Sequence, residues 1–165
     1  MASQETTHNP QVVLELTFDL EGFLSSWHHC DQMANYAGFY TSFGKPDVFS
    51  YENIMSTITN EILETIYWRN AGQGTVSMVI SEQQVGTCIE ATIPVNAESE
   101  CFYRNTVQRL SQGDPNDLYL ELLLSGGGER GVLSLSELAA NYDAKLNLST
   151  GQDTAEIRLS LTVVI

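Results

Sequence analysis

The stretch Tyr51–Asn70, YENIMSTITNEILETIYWRN, constrains this chain more than any other. Tyr51, Ile54, Met55, Ile58, Ile62 and Ile66 recur at steps of three and four, which puts them on one face of a long helix. Ser50 is suited to cap its start, with Asn53 three residues on rather than the Glu or Gln of a capping box. Asn70, Gly72 and Gly74 supply the stop. Burial accounts for the apolar face. The polar edge, Asn60, Glu61, Glu64 and Thr65, is left to be explained.

Around that helix the chain alternates between two periods. Gln11–Phe18 reads as a first strand, and Asp19 as the cap of a helix that runs to about Phe43 with a break at Gly38. Thr75–Ser81 and Thr87–Val95 form a hairpin across a turn at Glu82–Gly86. Ala97–Leu110 is helical and is broken by Ser111–Pro115. Pro115 opens another helix to Leu124. After the glycine-rich segment Ser125–Gly131, Leu133–Tyr142 forms a helix capped by Ser134 or Ser136. Ala144–Ser149 and Thr154–Ile165 close the chain as two strands around a turn at Thr150–Asp153. Hairpins with helices grouped between them indicate α+β: a mixed, antiparallel-rich sheet covered by helices on one face. At 165 residues this is one domain, 11–165, preceded by a disordered tail, 1–10.

Composition narrows the function classes. A formal charge of −14 repels phosphate backbones and anionic membranes, so neither nucleic acid nor membrane is an expected partner. It serves solubility, and it also suits a basic protein partner. No apolar run approaches the roughly 20 residues of a membrane helix, and MASQETTHNP lacks a signal pattern. Cys30, Cys88 and Cys101 are odd in number and widely spaced, a reduced pattern that fits the cytoplasm. Cys88, in a strand, is expected in the core.

The stretches Asn60–Trp68, NEILETIYW, and Gly131–Leu146, GVLSLSELAANYDAKL, together with the order helix, hairpin, glycine loop, helix, closing hairpin, resemble the histidine-kinase-like ATPase fold. The resemblance runs from about Val12 to Ile165 and is nearest to small cyanobacterial relatives of anti-sigma serine kinases. It implies an ATP and Mg²⁺ site built on a helix glutamate, an asparagine four residues later that ligates the metal, and a basic residue beyond. Glu61 matches the glutamate. Thr65 stands at the asparagine position and Trp68 at the basic one. Arg69 is adjacent but turned about 100° away. The family's adenine-binding aspartate and its glycines are missing from Ile93–Ser99, IPVNAES, where Asn96 and Glu98 are the polar residues. Gly126, Gly127, Gly128 and Gly131, with Arg130, match a phosphate lid, a backbone cradle leading into a helix N-terminus.

Other groups carry less. His28, His29 and Asp31 do not make a metal site, because neighbouring helix residues diverge by about 100°. Glu61 and Glu64 are neighbours at i and i+3, a remnant base or a solvated edge. Trp27, Tyr36, Phe39, Tyr40 and Phe43 recur along one helix. Core packing is the first expectation for them, and a dimer face or partner groove the second. The reading that follows is a non-catalytic regulatory protein on a degenerate ATPase fold, working through a protein partner or a second copy. Its nucleotide-pocket candidates are Asn60, Glu61, Glu64, Thr65, Asn96, Gly126, Gly127, Gly128, Arg130 and Gly131. An active ATP-dependent serine-kinase-type switch and a small-ligand protein using the residual pocket are the alternatives.

Overall fold

The computed structural model describes residues 10–126, 128–150 and 155–165. The expected tail, except Pro10, lies outside them, as do Gly127 and the turn residues 151–153. The elements run β1 (Gln11–Asp19), α1 (Leu20–Leu24), α2 (His28–Thr41), α3 (Val48–Arg69), β2 (Thr75–Glu82), β3 (Thr87–Pro94), α4 (Ala97–Gln112), α5 (Pro115–Leu124), α6 (Val132–Asn141), β4 (Lys145–Thr150) and β5 (Glu156–Val163).

The five strands make one sheet in the order β1-β2-β3-β5-β4. All four pairings are antiparallel, where the sequence pattern left room for a mixed sheet. Register follows from alternation. Leu16, Met78, Ala91, Leu159 and Leu148 form one row across all five strands, and Leu14, Ile80, Ile89, Leu161 and Leu146 form another. A slip of one residue in any strand would turn its apolar set to the opposite face. The helices cover this apolar face, and the other carries Ser77, Glu90, Thr92, Ser160 and Thr162. Cys88 lies on that polar side, half-buried rather than in the core, because its neighbours Thr87 and Ile89 take the inward positions.

Helix α3 lies on the sheet and is pinned at both ends to β3. The Tyr51 hydroxyl meets Thr87 Oγ1 at 2.8 Å, and Asn70 Nδ2 donates to the Pro94 carbonyl at 2.8 Å. Met55, Ile58, Ile62, Leu63 and Ile66 are buried beneath it. The helix starts earlier than its sequence suggests: Asp47 is the cap, its Oδ1 accepting from Ser50 N at 3.1 Å.

The helix expected from Asp19 to Phe43 is two helices. Asp19 caps the short α1 as anticipated, accepting from Gly22 N at 2.7 Å. The chain breaks at Ser25–Trp27, and Gly38 lies inside α2 instead of interrupting it. The reason is contact. A Cβ on Gly38 would come within 2.6 Å of the Glu52 carbonyl and 2.7 Å of Ser56 Oγ on α3. The inward side of α2 is built from small residues, Cys30, Ala34, Ala37, Gly38 and Thr41, and Ser56 Oγ donates to the Ala34 carbonyl across the seam. The large aromatics therefore point outward: Tyr36, Phe39, Tyr40 and Phe43 are each at least 45% exposed, contrary to the expectation of core packing.

In an open helix Gly→Ala gains up to about 1 kcal/mol from propensity. At Gly38 the added methyl strikes backbone, so we expect Gly38→Ala to lose about 1–3 kcal/mol. Urea unfolding should show this as a lower midpoint with an unchanged slope. An unchanged or raised midpoint would mean that the seam is looser than described.

Candidate functional site

Three consecutive residues end α3 and bind three different parts of the chain. Trp68 lies under Arg130, whose guanidinium carbon is 4.3 Å from the indole centroid. Arg69 pairs with Glu129 at 2.9 Å and sits over the Phe102 ring at 4.3 Å. Asn70 donates to Pro94 and accepts from the hydroxyl of wholly buried Tyr103 at 2.8 Å. Arg69 also suits the negative end of the helix dipole. The segment 129–131 is thus strapped onto the end of α3 by the Arg130–Trp68 contact and the Arg69–Glu129 ion pair. Gly131 makes this fit possible: its φ is +81°, and a Cβ there would come within 3.0 Å of Phe102 and 3.3 Å of Arg69 Cγ. It also replaces the expected serine cap of α6, whose N-cap makes no side-chain hydrogen bond.

Beside the strap, α3 and α6 enclose a cleft of about 580 Å³. Helix α3 supplies Glu61, Glu64 and Trp68, spaced so that they share one face. Helix α6 supplies Leu133, Ser134 and Glu137. Trp27 and Arg130 complete the lining. Burial pushes the Glu61 carboxyl above its ordinary value; the Ser134 hydroxyl opposes this, and the neighbouring Glu137 and Glu64 carboxylates add to it. Glu64 is held by Asn60 Nδ2 at 2.8 Å. A second groove, of about 740 Å³, lies on the other side of the strap, between Arg69, Glu129 and the α4 residues Cys101, Phe102 and Arg109.

The residues singled out in the sequence do not share one environment. Glu61, Glu64 and Arg130 meet in the cleft. Thr65 does not join them: it is fully buried, and its hydroxyl donates to the Glu61 carbonyl at 2.8 Å. Asn96 is committed to capping α4, its Oδ1 accepting from Ser99 N at 2.9 Å while Ser99 Oγ accepts from Asn96 N at 3.0 Å. Gly126 turns the chain out of α5, Gly128 packs against Leu122, and Gly131 is fixed on α3 and α4. Trp27 belongs to the cleft, whereas Tyr36, Phe39, Tyr40 and Phe43 form a separate cluster linked by ring contacts of 4.9–6.2 Å. Ser134, Glu137 and the stacking of Arg130 on Trp68 had no local signal, since they join segments more than sixty residues apart. Arg69 is the basic residue that reaches the strap. Among the described residues no three His, Cys, Asp or Glu side chains converge as a metal set. The Cys30 thiol is pushed up to about 12 by burial, and His29 Nδ1 lies 3.0 Å from the Phe23 carbonyl.

No family model and no curated protein matches this chain. A solved structure does. The chain aligns with one chain of the crystal structure of the SiaB–SiaC complex from Pseudomonas aeruginosa, with a TM-score of 0.65, over 94% of this chain and 91% of that one, at 16% sequence identity. A likeness of this kind shows a shared α+β fold. Among the described residues no helix is long and apolar enough to cross a membrane.

The raised Glu61 carboxyl has a consequence for stability. A carboxyl whose pKa is higher folded than unfolded binds protons more readily in the folded state. Its contribution is fullest at low pH and is lost as pH rises from the ordinary carboxylate value through the folded one. Glu61→Gln should therefore unfold at a higher urea concentration than the parent at neutral pH. The difference should vanish below the ordinary carboxylate range, where both side chains are neutral. A lower midpoint at neutral pH would show that the charge at Glu61 is compensated.

Proposed function

We propose that this chain is a non-catalytic regulatory protein of the cytoplasm, acting through protein contacts. In this reading it carries a histidine-kinase-like ATPase fold of the anti-sigma-kinase type, like small cyanobacterial relatives, with the nucleotide chemistry lost. The observation that carries the reading is Thr65. At the position where the family places its Mg²⁺ ligand, the side chain is turned into the core and bonded to its own helix. A hard divalent ion needs an exposed oxygen set, and a back-bonded buried hydroxyl offers none. Asn96 is likewise engaged elsewhere, and the strap that would cover a nucleotide lies against Trp68 and Arg69. The crystallised neighbour stands in a protein–protein complex, which accords with this reading.

The contact surface is the outer face of α2. Tyr36, Phe39, Tyr40 and Phe43 crown a stretch, Gln32–Pro46, in which Lys45 is the only charged residue. Two bodies of charge −14 can meet closely only where carboxylates are absent, so a second copy of the chain is the occupant this face suits best. Sedimentation velocity tests it. The parent should dimerise at about 10 μM, and a Phe39→Glu, Tyr40→Glu variant should weaken the dimer roughly 30-fold or more, the loss of about 2 kcal/mol expected for a central aromatic anchor. A parent that is monomeric at this concentration, or a variant that dimerises as well, would contradict the assignment.

One observation favours the alternative of an active nucleotide-dependent switch with Glu61 as base, or of a small-ligand protein. The 740 Å³ groove holds Arg109 and the Glu129-paired Arg69, the cations an anion would meet there. Exposed Cys101 lines that groove and reports on it. Under the non-catalytic reading, ATP with Mg²⁺ leaves the rate of Cys101 alkylation unchanged. Protection by ATP would favour the alternative.

A further inference from the structure

The cleft between α3 and α6 has a charge imbalance that the protein does not resolve internally. Glu61, Glu64 and Glu137 face it, and Arg130 is the only cation among its lining residues. Arg130 stacks on Trp68 but makes no ion pair within 4.0 Å among the described residues; the arginines that do are Arg69, Arg104 and Arg158. A guanidinium is therefore already seated on an indole beside a carboxylate-lined cavity, whose carboxylates make no salt bridge among the described residues. A planar cation on an aromatic face gains from the ring quadrupole, and carboxylates in fork geometry accept two parallel hydrogen bonds from it. Arg130 supplies the first interaction and leaves the second open.

We propose that this cleft is a recognition site for an arginine side chain of a protein partner. The incoming guanidinium replaces Arg130 on Trp68 and reaches the Glu61 and Glu137 carboxylates that Arg130 leaves unpaired. Arg130, exposed and stacked on Trp68, acts as a resident competitor. This rests on the reading that the protein works through partner contacts, but uses a surface separate from the α2 face. The overall charge of −14 favours approach of a basic partner.

The chain's two tryptophans, Trp27 and Trp68, both line this cleft, so selectively excited tryptophan emission reports on it. The probes are N-acetyl-arginine amide and its lysine and citrulline counterparts, titrated into the full chain. The arginine probe should change tryptophan emission saturably, the lysine probe should do so more weakly, and the citrulline probe, isosteric but uncharged, should have no effect. Arg130→Ala should tighten arginine binding about tenfold, the gain expected if the resident side chain occupies the site roughly nine-tenths of the time. Glu61→Gln with Glu137→Gln should abolish the response. The proposal is overturned if arginine and citrulline act alike, if lysine binds as well as arginine, or if Arg130→Ala leaves affinity unchanged. Failure here alongside loss of dimer in the Phe39 variant would remove the cleft and leave the α2 surface standing; the converse pattern would remove that surface alone.

Discussion

Trp68, Arg69 and Asn70 hold together the end of the molecule where a ligand would be expected. Each points in a different direction because successive helix residues are about 100° apart. The helix end therefore grips the strap through Trp68, the α4 side through Arg69 and the end of β3 through Asn70. The Asn70 link is the most deeply embedded, since it satisfies the Tyr103 hydroxyl, which has no access to water. Burial raises the pKa of that phenol and keeps it a neutral donor. An unpaired buried hydroxyl would cost about 1–3 kcal/mol, so α4 cannot drift from α3 without loss. Once α3 and α4 are fixed, the strap has one place to lie.

The same helix explains why the protein displays its aromatics. Helix α2 must approach α3 closely enough for Ser56 to bond to its backbone, and only small residues allow that. With the inward positions filled by Cys, Ala, Gly and Thr, the larger side chains of α2 have only solvent to face. Four rings are thereby exposed on a charge-poor stretch, the surface proposed above for a second copy of the chain. The acidic cleft and the aromatic face are thus two products of a single arrangement, with α3 at its centre.

The architecture was legible because its signals are local. Period-two alternation gave the strands, and Ile58, Ile62 and Ile66 gave the long helix. Turn residues gave most boundaries, and the two hairpins gave the β2–β3 and β4–β5 pairings, whereas β1–β2 and β3–β5 join distant segments. Where sequence reading went astray, a tertiary contact had overridden a local preference. Gly38 looked like a breaker and is a contact point. Ser134 and Ser136 looked like caps, but Gly131 takes that place because the strap must pass close to Phe102. The site was less legible still. Glu61 and Glu64 could be found from the polar edge of a helix, but Thr65 shares that edge in sequence and is buried in the fold. Arg130 was visible as a residue of a glycine loop, whereas its seat on Trp68 depends on how α6 packs against α3.

The proposed function has the chain's own groups, Thr65 and the strap on Trp68, standing where a nucleotide would bind. Scanning calorimetry with and without millimolar MgATP tests this most directly, because any ligand that binds only the folded state must raise its melting temperature. We predict coincident transitions. A melting temperature that climbs with MgATP concentration, and does so only when Mg²⁺ is present, would contradict the account.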